Sequence, residues 1–306
     1  SGAPKTSLNI VRILAEAGLP AGVLNFVTGS GSVVGREITG NPMVKGVSFT
    51  GSDTVGCGIH GQVTSRGGKA QCEMGGKNPV IVLEDADIDK AVNLSIMGAM
   101  WSTGQKCTAT SRAIVHKDVV EEFTAKAVAA AAAIRIGNGL DENTQVGPSI
   151  DEDQLNTVLT YIETGKNEGA RLLTGGNRLS EPPYDRGWFV EPTVFGDVDP
   201  GMVIAREEIF GPVLAIITVD DFEQAMSVAN DTRFGLAASI CTRDISRAME
   251  FVDRIEAGLV HVNSPTVGAE VQVPFGGMKD SSTGTREQGR VAVDFYTQTK
   301  TVYLEY

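Results

Sequence analysis

The feature that most narrows the possible folds is a rhythm of short aliphatic runs separated by amphipathic stretches. Val80 to Leu83, Val213 to Val219 and Ala237 to Thr242 are strand-length and apolar almost throughout. A strand without a polar face has to be covered on both sides. Between and around these runs, Asp87 to Met100, Asp118 to Ile136, Ser149 to Glu168, Asp221 to Asn230 and Asp244 to Ile255 carry apolar residues at helical spacing. Arg112 to His116 and Leu259 to Val262 read as further strands. Strands alternating with helices predict an α/β fold built on a parallel sheet with crossover helices.

The same rhythm opens the chain. Leu8, Val11, Leu14 and Ala15 form a helical stripe that Gly18 and Pro20 stop. Gly22 to Val27 then reads as a buried strand, Val33 to Ile38 as an amphipathic stretch, Gly46 to Thr50 and Ala70 to Met74 as strands. A helix starts at Asp53, with Ser52 or Asp53 as its cap. The rhythm restarts after Gly75-Gly76, the best boundary, and a second boundary lies near Gly276-Gly277. The last segment, Val293 to Tyr303, alternates weakly and reads as an edge strand pairing with something outside the core.

A chain of 306 residues can bury most of its apolar surface without staples. Its net charge of −12 argues against nucleic acid or an anionic membrane as partner, since phosphate binding needs clustered Lys and Arg. The four cysteines, Cys57, Cys72, Cys107 and Cys241, form no CxxC pair, and His60, His116 and His261 form no helical ligand pair. No metal site is expected, and a reducing cytoplasm is the default compartment. The longest plain apolar run, Ala127 to Ile134, is too short to cross a bilayer. The opening Ser1-Gly2-Ala3-Pro4-Lys5 lacks the build of a signal peptide.

Five segments could carry chemistry, and each has a plain structural reading beside the functional one. Gly29-x-Gly31-x-x-x-Gly35 follows a strand and opens a helix, as a nucleotide-binding turn or a tight βα turn does. Gly51-Ser52 repeats that arrangement, with the serine as helix cap or phosphate ligand. Cys107 has small and polar neighbours and a flanking Lys106 that could favour the thiolate, whereas Cys57, Cys72 and Cys241 fit the commoner buried fate. Glu73 ends a strand beside glycines, as a general base or as an ion-pair partner of Lys77. Glu207-Glu208-Ile209-Phe210-Gly211-Pro212 is either a solvated acidic helix end or a carboxylate for sugar hydroxyls with an aromatic against a flat ring.

Taken together and in order, Phe49-Thr50-Gly51-Ser52, Glu73 to Pro79, Gly104-Gln105-Lys106-Cys107, Glu207 to Val213 and Pro274 to Lys279 resemble the aldehyde dehydrogenase superfamily over essentially the whole chain. The resemblance implies a partial Rossmann-type cofactor domain (1–75), a three-layer α/β catalytic domain (76–277) and a closing tail with an oligomerisation strand (278–306). It implies NAD or NADP as cofactor and a small-molecule aldehyde as substrate. Cys107 would be the nucleophile, giving a thiohemiacetal and then a thioester, and its backbone N–H half of an oxyanion hole. Glu73 would activate the hydrolytic water, which favours the hydrolytic branch over acylation of coenzyme A. Gly51 and Ser52 would hold the pyrophosphate, Gly31 would lie beside the adenine side, Glu208 would bond the nicotinamide ribose with Phe210 near its ring, and Gln154 would be a further ribose contact.

The wording Ser102 to Arg112, Asn263 to Thr266 and Val273 to Phe275 is similar to family members acting on α-ketoglutarate semialdehyde, a substrate that carries a carboxylate, with glutarate, succinate and simple aliphatic semialdehydes open beside it. Compared with the family, the chain starts partway through the cofactor domain, which predicts an impaired fragment lacking an oxyanion-hole asparagine and the lysine that reads the adenosine ribose. Ser1-Gly2-Ala3 reads as partly foreign to the natural chain. The parent enzyme is expected to be a homodimer or homotetramer. Two other readings stand beside this one: a non-catalytic fragment serving assembly, and a cysteine hydrolase or esterase with Cys107 and a histidine base.

Overall fold

The structure is a computed structural model that describes residues 3–306; Ser1 and Gly2 lie outside the described residues. Its strands are β1 (Gly46–Thr50), β2 (Lys69–Glu73), β3 (Asn78–Val82), β4 (Thr110–His116), β5 (Arg171–Thr174), β6 (Arg178–Leu179), β7 (Phe189–Val190), β8 (Thr193–Gly196), β9 (Val213–Val219), β10 (Phe234–Gly235), β11 (Ala237–Cys241), β12 (Leu259–Val262), β13 (Met278–Lys279) and β14 (Ser282–Thr283). The main helices are α1 (Pro4–Glu16), α2 (Arg36–Gly40), α3 (Asp53–Ser65), α4 (Ile88–Met100), α5 (Val120–Ala132), α6 (Glu152–Asn167), α7 (Val203–Arg206), α8 (Phe222–Asn230), α9 (Ile245–Arg254) and α10 (Val291–Tyr296).

Seven strands form the central sheet in the order β12-β11-β3-β4-β9-β8-β5. All its pairs are parallel except β5 with β8. The two-residue period of a strand sorts the side chains. Val80 and Val82 of β3 enter an apolar cluster with α4 and α5, while Ile81 and Leu83 enter the opposite cluster with α6, α8 and α9. The result is the expected three layers, with helices on both faces. Each fully buried Ile81, Ile114 or Phe195 stabilises the fold by about 1.5–3 kcal/mol. The helices start where short polar side chains can cap them. The carboxylates of Asp87, Asp151, Asp221 and Asp244 each accept a backbone N–H in the first turn of α4, α6, α8 and α9.

β2 and β3 are separated only by residues 74–77 yet belong to different sheets. β2 lies between β1, which is parallel to it, and β14, which returns from the tail and is antiparallel. That return pairs Ser282 with Glu73, so the glycine-rich crossing from β2 to β3 is enclosed by the tail.

Two expected strands are absent. Gly22 to Val27 is a run of turns and bends, with Val23 and Val27 each 65% exposed. A strand needs a neighbour to take its N–H and C=O groups, and no strand among the described residues pairs with this segment. At the other end, the residues read as an edge strand begin instead as α10, and 297–306 have no regular structure. Two forces select the helix: Phe295 is buried against the β1 side at Gly46, and Lys69 Nζ donates to the carbonyls of Asp294, Phe295 and Thr297 at 3.1, 3.2 and 2.7 Å. A cation on the last carbonyls ends a helix favourably.

No helix among the described residues is long and apolar enough to cross a membrane.

Candidate active site

The loop between α4 and β4 carries Cys107. Ser102, Thr103 and Gly104 precede it with φ of 57°, 59° and 65°, three consecutive left-handed residues. For the two that are not glycine, this geometry costs roughly 1–2 kcal/mol each. It persists because the surroundings hold it: Thr103 Oγ1 donates to Gly147 O at 3.0 Å, and Gln105 Oε1 accepts from Ile150 N at 2.9 Å. Beyond the turn, Asn78 Nδ2 donates to the carbonyls of Cys107 and Ala109 at 2.9 and 2.8 Å. Asn78 Oδ1 in turn accepts from Ala237 N at 3.0 Å, which ties the loop to β11. A side chain on Gly76 would stand 2.6 Å from Asn78 Oδ1 and 2.9 Å from the Cys107 carbonyl, so only glycine lets the β2–β3 crossing pass this close.

Cys107 is half-buried. Burial is the main force raising its pKa; the charges that reach the sulfur are Glu208 and Glu73, both opposing the thiolate, while the backbone N–H groups of Thr108 and Cys107 favour it. Lys106 also lines the cavity beside Cys107, but its side chain is exposed, so solvent screens its charge.

Glu208 closes over the same crossing. Its Oε1 accepts from Gly76 N at 3.1 Å, and burial raises its pKa against the pull of that N–H and of Lys77. Two residues on, Phe210 has a left-handed φ of 55°, and Gln154 Nε2 donates to the carbonyls of Ile209 and Phe210 at 3.2 and 3.0 Å. Gln154 thus pins the strained residue that presents the Phe210 ring.

Glu73 ends β2, 1% exposed. Ser282 Oγ donates to its Oε2 at 2.5 Å, while Oε1 is buried without a partner. Burial pushes its pKa up to about 7; Ser282 and Arg286 pull the other way and Glu287 adds to the rise. The ion pair with Lys77 does not form. Lys77 is fully buried with no partner on Nζ, and burial, aided by Arg112, brings its pKa down to about 7.

Of the eight residues singled out from sequence, Gly51, Ser52, Cys107, Gln154, Glu208 and Phe210 line one cavity of about 590 Å³. No histidine lines it. Gly31 lines a separate cavity of about 520 Å³ with Gly29, Phe26 and Val34. Glu73 does not line the first cavity; it is buried, and its charge acts on Cys107 more weakly than that of Glu208. Ser52 occupies the cap position of α3, but its side chain makes no capping hydrogen bond and is left free. Asp53 instead pairs with Arg233. Cys72 and Cys241 are buried as expected, but Cys57 is exposed, since it faces outward from α3. Sequence reading passed over Asn78, Ser282 and Thr266, although Asn78 and Thr266 stand inside segments it quoted; polar residues in strands and loops carry no periodic signal.

The profile of the aldehyde dehydrogenase family matches residues 1–302. The chain is 50% identical over 306 residues to the alpha-ketoglutaric semialdehyde dehydrogenase of Bacillus subtilis, covering 99% of this chain and 63% of that protein. It is also 50% identical over 305 residues to the alpha-ketoglutarate semialdehyde dehydrogenase of Haloferax volcanii, with the same coverage. Among solved structures, an NAD-dependent aldehyde dehydrogenase from Sinorhizobium meliloti superposes with a TM-score of 0.94 at 37% identity, over 98% of this chain and 59% of that one. The chain therefore spans about 63% of the length of the curated relatives it matches.

Proposed function

The chain belongs to the aldehyde dehydrogenase family, and from that premise we propose that it carries the thiol site of an NAD(P)-dependent enzyme that oxidises a carboxylate-bearing semialdehyde, such as α-ketoglutarate semialdehyde, to the acid. The observation that carries the reading is the meeting of Cys107, Gly51, Ser52, Glu208 and Phe210 in one cavity. The names of the two relatives at 50% identity support the substrate.

The residues present fit a dinucleotide. Ser52 has a free hydroxyl at the start of the 13-residue α3, next to a glycine without a side chain to block approach. The Glu208 carboxylate suits a ribose hydroxyl, and Phe210, 38% exposed, offers a ring face. The cavity at Gly31 suits the adenine end. When bound, NAD(P) supplies the hydride acceptor.

In this reading the Cys107 thiolate attacks the aldehyde carbon. The oxygen of the resulting thiohemiacetal is met by the Cys107 backbone N–H. Loss of hydride from that carbon leaves a thioester on Cys107. Glu73 then takes a proton from water, the hydroxide adds to the thioester, and the acid leaves as the thiolate is restored. A carboxylate with a pKa of about 7 is matched to that task. The domain division at residues 75–76 and 277–278 belongs to the same reading, as do assembly of the parent protein as a homo-oligomer and a cytoplasmic location.

The test is reduced-cofactor production with a panel of semialdehydes. The Cys107→Ser variant is expected to lose at least about a thousandfold in rate. Undiminished turnover in that variant would refute the assignment. An ester-cleaving activity indifferent to cofactor and dependent on a histidine would support a hydrolase instead.

A further inference from the structure

Three consecutive carbonyls around the nucleophile are gripped from outside its loop. Asn78 Nδ2 holds those of Cys107 and Ala109. Thr266, in the segment after β12, donates from Oγ1 to the carbonyl of Thr108 at 2.7 Å. A hydroxyl has one proton and a carbonyl can only accept. The Thr266 proton is therefore committed to Thr108, and the 2.8 Å bond between Thr266 Oγ1 and Thr110 Oγ1 must run from Thr110 to Thr266. Asn78, Thr110 and Thr266 are 2%, 2% and 1% exposed, so water does not compete for these bonds.

The consequence follows from peptide planarity. In a trans peptide, C=O and N–H point in opposite directions. Asn78 draws the Cys107 carbonyl to one side, so the N–H of the same peptide, that of Thr108, turns to the other, where it favours the thiolate. Thr266 draws the Thr108 carbonyl, which turns the Ala109 N–H onto the Lys106 carbonyl at 3.0 Å, and the peptide of that carbonyl carries the Cys107 N–H. The two carboxylates that act on that sulfur, Glu208 from the loop after α7 and Glu73 from the end of β2, oppose the thiolate. Oriented N–H groups are what favours it.

We propose that Asn78 and Thr266 are positioning residues that orient N–H groups toward the nucleophile, Asn78 directly through the Thr108 N–H and Thr266 through the Ala109–Lys106 bond that sets the Cys107 N–H, and so set its reactivity. The proposal rests on Cys107 being the nucleophile, but its test reads the sulfur itself rather than turnover. Iodoacetamide is attacked by the thiolate, forming a C–S bond and expelling iodide. Its rate at Cys107 can be followed by mass spectrometry of the peptide, with exposed Cys57 as internal reference. Asn78→Ala and Thr266→Val are each expected to slow alkylation at pH 7 by about tenfold and to move the midpoint of the pH–rate profile upward, with the high-pH plateau unchanged. Thr266→Ser, which keeps the hydroxyl, is expected to restore the profile to within about twofold of the parent.

If Asn78→Ala does not fold, the contrast between Val and Ser at position 266 decides alone. Profiles that superimpose on the parent's, or a lowered plateau with an unmoved midpoint, would overturn the proposal. A normal Cys107 profile in a protein that reduces no cofactor would instead count against the dehydrogenase reading.

Discussion

Glu73 is held by Ser282 through one oxygen while the other has no partner, so the group is buried at a cost that depends on pH. Its folded pKa, pushed from 4.5 to about 7 mainly by burial, exceeds its unfolded value. Between those values the folded chain holds the proton more tightly than the unfolded chain does. Stability is therefore greatest below about pH 4.5 for this group and declines as pH rises to about 7. The decline amounts to about 3 kcal/mol. Glu73→Gln keeps the size and removes the titration, so it should be more stable than the parent by about 2–3 kcal/mol at pH 8 and equal to it near pH 4. Urea unfolding at both values measures this, and equal stabilities at pH 8 would contradict it. The same variant should still release one equivalent of reduced cofactor in a burst while steady-state acid release falls by about 10²–10⁴. From sequence, Glu73 was legible as an anomaly, a carboxylate in an otherwise strand-like run. Its partner was not, because Ser282 lies 209 residues away and only the antiparallel return of β14 brings it near.

The elements that sequence made legible are those whose signal is local. Val80 to Leu83 and Val213 to Val219 announce strands by unbroken apolarity, and helical spacing of apolar residues announces the helices that Asp87, Asp151, Asp221 and Asp244 cap, the second of them read as starting at Ser149, three residues before α6 begins. Gly22 to Val27 misled because its composition is that of a strand, while strand formation is a property of pairs. The segment from 293 misled because alternation says nothing about Lys69, whose Nζ collects three carbonyls of α10 and the residue after it. A further link invisible locally is Arg233, just before β10. It pairs with Asp53 at the start of α3 and with Glu207 at 3.2 Å, beside Glu208. This bridge sets the start of α3, where Ser52 stands, against the loop that carries Glu208. It is partly exposed, so its strength is about 1 kcal/mol or less. Arg233→Met should weaken NADH binding by at most about fivefold, measured by fluorescence titration at low salt. The difference should shrink at 1 M salt, where the Debye length is about 3 Å. An affinity unchanged at low salt would show that the bridge does not set this distance.

The molecule as a whole is unevenly packed, and its local stability should follow. The seven-stranded sheet is covered on both faces by apolar clusters from α4, α5, α6, α8 and α9. By contrast, α1 buries none of its residues, and among residues 3–45 only Thr39 is buried. Of the stripe Leu8, Val11, Leu14 and Ala15, the first two are half-buried and the last two exposed, and Ile10 and Ile13 face solvent as well, so the helix contributes little of the roughly 25 cal/mol per Å² that burial supplies. A short helix without packed contacts is marginal in water, and segments with few buried contacts open at a small fraction of the global free energy. Trypsin at low concentration should therefore cut first at Arg12, Arg36 and Lys300, while bonds in β3 to β12 survive. The buried Arg112, whose guanidinium donates to the carbonyls of Lys77, Val228 and Ala229, should be among the last sites cut. Mass spectrometry of the time course gives the order. Early cleavage between residues 78 and 262 at rates matching Arg12 would mean that the central sheet is not the stable unit its burial implies.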